Sequence, residues 1–337
     1  MFAPSRRAVL AAAAGLGGAA AVRAAAQPVV IITADPLPSW AAGPAKSAIM
    51  AYVRKVIEPG PDYIPPEARI AVFDHDGTLW CEQPVYFQVV FAFDRIAKMV
   101  AEKPSLRASP SLAAIADTGL ASLGEIDRNG LIDAIFDVQE GLTPDAYQDL
   151  VRAWMAGARH PRFNRPYSSL VYRPQLELLL WLNAAGFRTY ISSGGEVHFM
   201  RAFSQALYGI PPEQVIGSSQ TTRFEAADGK GQVIACCALG AFNDGTDKPG
   251  NIELHIGRRP VLAVGNSDGD QAMLEYCAGS PWPSLQVLIH HDDAVREYAY
   301  DRQSRIGQLD KALDEATSRG WTTVSMKTDW KMVFAQG

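Results

Sequence analysis

Apolar and polar positions along this chain alternate between two rhythms. Short apolar runs rich in Val, Ile, Leu and Phe end in polar turns at Arg69–Phe73, Arg188–Ser193, Gln214–Ser218, Arg259–Gly265 and Leu285–Ile289. Runs of that length with few charges inside them predict strands buried on both faces. Between them, apolar residues recur at helical spacing over about 42–58, 86–103, 111–123, 130–140, 144–157, 175–185, 196–208, 271–276, 294–300 and 308–319. Pro110, Pro144 and Pro174 stand near helix starts, and Gly124, Gly141, Gly157 and Gly186 near helix ends. Val29–Thr33 predicts an extended start, Phe224–Cys237 a hairpin turning at Asp228-Gly229, and Trp321–Met326 an edge strand.

Strands alternating with helices predict an α/β fold, a doubly wound Rossmann-like parallel sheet. Nothing β-rich interrupts residues 86–160, so a helical insertion follows the first strand. The organisation expected is a core of 69–84 and 165–337, a helical cap of 85–164 and a wrapping arm of 27–68. Right-handed crossovers bring all strand C-terminal ends to one edge. Four of those ends are polar: Asp74/Asp76, Ser192/Ser193, Asn266/Asp268/Asp270 and His290–Asp293. Convergence of polar groups on one edge of an apolar sheet predicts a ligand site there.

The first of these ends is the most informative. In an extended chain residues i and i+2 point the same way, so Asp74 and Asp76 share one side and His75 takes the other. Two like charges side by side need a cation or a shared proton. Gly77 lets the backbone bend close to a ligand, and Thr78 adds a hydroxyl and an N–H. Carboxylates, a turn and exposed amides at a strand end suit magnesium plus phosphate.

The D-x-D-G-T run at Asp74–Thr78, the strand-end Ser193-Gly194-Gly195, Lys248 ahead of the fourth strand, and Gly265-Asn266-Ser267-Asp268-Gly269-Asp270 resemble the four motifs of haloacid dehalogenase superfamily phosphatases, in particular the phosphoserine phosphatase-like branch. The resemblance covers about 70–295 and makes the helical insertion a C1 cap. It implies Mg2+-dependent hydrolysis of a small phosphate monoester. Asp74 would be the nucleophile and Asp76 the general acid and base. Ser193 and nearby amides would hold phosphate oxygens, with Lys248 neutralising their charge, and Gly77, Thr78 and Gly194 are expected at the substrate. Asp74, Asp76, Asn266 and Asp270 are the expected metal residues, with Asp268 a substitute, because the family's metal aspartate falls on Asn266. Asp270 is expected at the metal shell or holding its waters and Lys248. Glu82 sits one residue from the acid that meets a substrate ammonium group in phosphoserine phosphatases. A dehalogenase lacks the second aspartate, so Asp76 argues against that branch. Two other classes stay open: a phosphate-ligand binding protein disarmed by Asn266, and transfer of the phosphoryl group to an alcohol.

Lesser candidates read as structural. His75 is expected behind the site. His290 and His291 could contact substrate or join Asp292 and Asp293 at a second metal, but a cap by one of those aspartates on the following helix fits better. Tyr86, Phe87, Phe91 and Phe93 read as cap core.

Composition adds a compartment. Arg6-Arg7 followed by an Ala/Gly-rich stretch and Ala24-Ala25-Ala26 has the pattern of a twin-arginine signal peptide, residues 1–26, which predicts a periplasmic protein. Removing that leader, with its three arginines, takes the formal net charge from −5 to −8. That acidity argues against nucleic acid or an anionic membrane as partner. Cys81, Cys236, Cys237 and Cys277 match no metal or redox spacing and read as small buried hydrophobes, with one disulfide left open.

Overall fold

The computed structural model describes residues 35–335; the leader and the strand expected at 29–33 lie outside them. In chain order the elements are α1 (Pro44–Ile57), β1 (Ile70–Phe73), α2 (Phe87–Glu102), α3 (Pro110–Thr118), α4 (Arg128–Asp137), α5 (Pro144–Gly157), α6 (Arg173–Ala184) and β2 (Arg188–Glu196). They continue with α7 (Val197–Arg201), α8 (Ser204–Tyr208), β3 (Val215–Ala227), β4 (Lys230–Ala241), α9 (Lys248–Ile256), β5 (Leu262–Gly265), α10 (Gln271–Ala278) and β6 (Leu285–Asp292). The last are β7 (Ala299–Tyr300), α11 (Lys311–Arg319), β8 (Thr322–Ser325) and α12 (Met326–Asp329).

The strands form one sheet in the order β4-β3-β2-β1-β5-β6-β7, with β8 also beside β6. Pairing is parallel from β3 through β2, β1, β5 and β6 to β8. The edge pairs β3–β4 and β6–β7 are antiparallel. β1 lies at the centre with all four residues buried, because helices cover both faces. Its side chains divide by alternation. Ala71 and Phe73 join the larger core with Ile191, Val264 and Val287, while Ile70 and Val72 join the smaller one with Ala263, Leu288 and Met273.

Several elements differ from the sequence-based expectation. The short strand at 214–218 and the hairpin at 224–237 are one ribbon, since β3 runs unbroken from the sheet to the Asp228-Gly229 turn. Both turn residues have positive φ, 53° and 73°, as a two-residue hairpin requires. The helix expected over 111–123 ends at Thr118 and tightens to a 3₁₀ turn through Gly124. The one expected over 196–208 breaks at Ala202-Phe203, where Phe203 packs against Trp80 and His75. No helix forms at 294–300. β6 continues through His291, and the segment after it is held as a turn because Asp293 accepts from the Val295 and Arg296 amides while Arg296 donates to the Trp330 and Met326 carbonyls.

The arm before β1 and the end of the chain close on each other. Trp40 bridges Trp330, their rings meet edge to face at 6.0 Å, and Lys331 N donates to Ser39 O. Cys81, Cys236 and Cys277 are free thiols, the first and last buried; the side chain of Cys237 lies outside those described.

Candidate active site

The site begins where β1 stops. Asp74 N donates to Val264 O of β5, which keeps the first carboxylate in line with the sheet. The chain then turns through Gly77, whose φ of 73° favours glycine. Asp74 and Asp76 both face a cavity of about 390 Å³. His75 points away into an aromatic nest, 3.0 Å from the Tyr208 hydroxyl and 4.4 Å from the Trp80 ring centroid. Burial, helped by Lys248, depresses its pKa to about 3, so it is neutral and serves packing.

Lys248 begins α9 and reaches under β1. Its Nζ donates to Asp74 Oδ1 at 2.7 Å, Asp270 Oδ1 at 2.6 Å and Ser192 O at 2.9 Å. Burial opposes its charge, but the two carboxylates outweigh burial and hold the ammonium protonated. One ammonium cannot balance two carboxylates, so Asp74 is pushed up, by burial first and by Asp270 next, against the pull of Lys248. Asp76 receives a hydrogen bond from Trp80 Nε1 at 2.7 Å, yet burial raises its pKa to about 6. A carboxyl poised there can both donate and take a proton near neutrality.

Ser193, Gly194 and Gly195 close β2 and line the same cavity. Asn243, just after β4, holds this strand end by donating to Ser193 O at 2.9 Å and Ile216 O at 3.3 Å. No local pattern marks Asn243 in the sequence; its role exists only because β4 returns antiparallel to β3 and brings Asn243 back to the ends of β3 and β2.

The 266–270 turn divides its acids. Asp270 Oδ1 meets Lys248, and its Oδ2 accepts from the Asn266 and Ser267 amides. Of the two roles expected for Asp270, holding Lys248 is the one its contacts fit. Asp268 does not join the cavity. Its Oδ1 accepts from the Asp310 and Ala312 amides at the start of α11, both at 2.9 Å, which removes it from the metal set. Asn266 Oδ1 accepts from the Thr78 hydroxyl at 2.9 Å, and its Nδ2 donates to Glu82 Oε1 at 2.8 Å. Thr78 is fully buried by that bond, and neither it nor Gly77 lines the cavity, contrary to expectation. Gly77 instead makes room: a Cβ there would lie 2.1 Å from Asn266 Nδ2.

His291 is the residue that sequence reasoning undervalued. Its Nε2 lies 2.7 Å from Gly77 O and its Nδ1 3.2 Å from Glu297, and its ring stacks on Tyr300. Burial disfavours the imidazolium, but Glu297 overrides burial and raises the pKa. The histidine pins the motif turn from behind. Asp292 caps neither the site nor the next segment; it accepts from the Ser325 hydroxyl and Lys327 N.

The opposite wall is apolar. Val89 of α2 and Leu131, Ile132, Ile135 and Phe136 of α4 face the acids, with Tyr86 beside Glu82 and the exposed Arg305 also lining the cavity. Phe87, Phe91 and Phe93 are buried in the core as expected. The hairpin braces this wall, since Gly141 N donates to Ala235 O and Ala235 N to Leu142 O.

Asp74, Asp76 and Glu82 line the cavity as hard oxygen donors; Asn266, 1% exposed, stands behind them and does not line the cavity, contrary to expectation, with its Oδ1 bonded to the Thr78 hydroxyl. Among the described residues no three acidic, histidine or cysteine side chains already stand as a cage. Magnesium fits that poverty, because it keeps several waters and takes one or two carboxylates together with phosphate oxygens.

Comparison with solved structures finds an Anaerococcus prevotii protein described as conserved and functionally unknown (15% identity, TM-score 0.51, 81% of this chain and 88% of that one). A Bordetella pertussis Tohama I protein of unknown function matches at 14% identity and TM-score 0.48, covering 76% of this chain and 97% of that one. A phosphoserine phosphohydrolase-like protein of Francisella tularensis matches at 15% identity and TM-score 0.36, covering 74% and 99%. Comparison with curated proteins gave no match. At 15% identity the likeness to the Anaerococcus protein bears on the fold alone. The family model of haloacid dehalogenase-like hydrolases matches residues 71–275, which takes in Asp74, Ser193, Lys248 and Asp270 alike, and the chain belongs to that family.

Proposed function

We propose that this protein hydrolyses a small phosphate monoester through an aspartyl-phosphate on Asp74. The observation that supports this most is the Lys248 bridge between Asp74 and Asp270 beneath a cavity that Asp76 and Ser193 also line. A carboxylate oxygen of Asp74 attacks phosphorus as the ester P–O bond breaks. Asp76, protonated, gives its proton to the departing alkoxide. It then takes a proton from the water that attacks the acyl phosphate, releasing inorganic phosphate and restoring Asp74. Ser193 and the Gly194 amide beside it would hold the non-bridging oxygens, with the Gly195 amide orienting the Ser193 hydroxyl by donating to it at 3.2 Å. Lys248 offsets the charge that grows on them and fixes the orientation of Asp74.

Magnesium, held by Asp74 and Asp76, would screen the repulsion between carboxylate and phosphate. The apolar wall favours an organic leaving group over bare inorganic substrates. The deciding experiment is phosphate release from an aryl phosphate. Wild type is expected to turn over, EDTA to stop it and magnesium to restore it; Asp74→Asn is expected to abolish it, and wild-type turnover by that variant would refute the nucleophile.

We further propose export by the twin-arginine route. Replacing Arg6 and Arg7 with lysine should shift the protein from the periplasmic to the cytoplasmic fraction. Among the described residues no helix is long and apolar enough to cross a membrane.

A further inference from the structure

Glu82 has no part in the steps above, yet it is built in with care. It is 2% exposed, and its Oε1 accepts from Asn266 Nδ2 at 2.8 Å and from the Tyr300 hydroxyl at 2.7 Å. Two glycines clear the space. A Cβ on Gly77 would lie 2.3 Å from that oxygen, and a Cβ on Gly307 2.0 Å from it. A further carboxylate buried close to Asp74 and Asp76 is costly unless a cation answers it. Position 266 has the complementary defect. It carries a neutral amide at the end of β5, in the place where the motif pattern calls for a carboxylate.

The two anomalies touch each other. An electrostatic site depends on where charge sits, not on which segment supplies it. We infer that Glu82 supplies the negative charge that position 266 lacks, so that the Glu82–Asn266 pair, in place of a single aspartate, completes the magnesium site. The inference rests on the magnesium-dependent reading above. It also changes the part expected of Glu82, from a reader of substrate ammonium groups to a residue of the cation site. Tyr300, brought in by β7, and Thr78 then act as the donors that hold this pair in register.

Magnesium alone is the probe, titrated calorimetrically into the metal-free mature protein, with melting curves as a control on folding. Glu82→Gln is expected to weaken magnesium binding about tenfold or more. Adding Asn266→Asp to that variant returns the charge to the strand end and is expected to restore affinity to near the wild-type value. A merely structural Glu82 would leave magnesium affinity unchanged in a Glu82→Gln that melts like wild type. Wild-type affinity in Glu82→Gln, or a folded double variant as weak as the single one, overturns the assignment. Should Glu82→Gln not fold, Asn266→Asp alone decides. It is expected to tighten magnesium binding and to lower the metal-free melting temperature, and unchanged affinity overturns the assignment. Wild type that binds no magnesium and turns over in EDTA refutes the metal reading itself. That result is distinct from a wild type that binds and a Glu82→Gln that binds equally.

Discussion

Across the cavity, the acidic rim and the helical wall are held by different means. The rim is tied by side chains that reach between segments far apart in the chain: Lys248 to Asp74, Asn266 to Glu82, His291 to the carbonyl of Gly77. Each tie leaves a buried charge or polar group stranded if its partner is removed. The aliphatic side chains of the wall make no such ties among the described residues; Gln88 of α2 links the wall to the end of β2 by accepting from Glu196 N at 2.9 Å. Leu131, Ile132 and Ile135 are half-buried aliphatic side chains, and the wall's further bracing is backbone pairing between residues 141–142 and Ala235 of the hairpin. One side therefore fixes the chemistry and tolerates little, while the other fixes what fits and tolerates exchange.

That contrast can be broken at several points. The largest effect is expected from Asp74→Asn, a loss of about a thousandfold or more in kcat with little change in melting temperature. Lys248→Met should cost about 3–5 kcal/mol of stability, because two buried carboxylates lose the ammonium they share; chemical denaturation measures it. A variant as stable as wild type would show that the rim is not tied as described. On the wall, Ile135→Ala should raise KM for a bulky ester about tenfold and leave kcat with a small ester unchanged. Loss of kcat with both would erase the distinction between the two sides. The smallest effect is in pH. In the metal-free chain Asp76 and Glu82 are raised from 3.8 to about 6 and from 4.5 to about 8, both mainly by burial, so the folded chain keeps protons that the unfolded chain has released and that a bound cation would displace. Their contribution to stability is full below about pH 4 and is lost as pH rises through 6 and then 8. In EDTA, melting temperatures of Asp76→Asn should gain on wild type over the first of those intervals.

The rim was legible in the sequence because each piece is local: an apolar run, then acids or small hydroxyls, then a turn. Asp74, Asp76, Ser193 and Asp270 could be placed on one edge by strand order alone, whereas Lys248, at a helix start, is legible only through the family resemblance. Asp268 could not be sorted from Asp270, since both lie in the same turn and only the arrival of α11 gives Asp268 its amides. The wall was legible as helices but not as a surface, because the sides of α2 and α4 that meet the cavity are decided by packing. β3 past Ser218 was misread for a similar reason. Gln220–Arg223 is polar and that part of the ribbon is largely exposed, so it lacks the apolar signature of a core strand. The segment after His291 looked like a capped helix, but the buried Glu297 and the many bonds of Arg296 hold it as a turn.

The family match ends at residue 275, and the contact between Trp40 and Trp330 shows why that border is not a place to cut. Both tryptophans lie outside it, one upstream and one downstream, and each shields the other from water. A chain trimmed to the matched interval would lose β6 and β8, the histidine behind the motif turn and this clasp together. It would carry every motif of a phosphatase and still be expected to precipitate. Shortening either terminus alone would bare the indole on the other, so the two ends stand or fall as one unit.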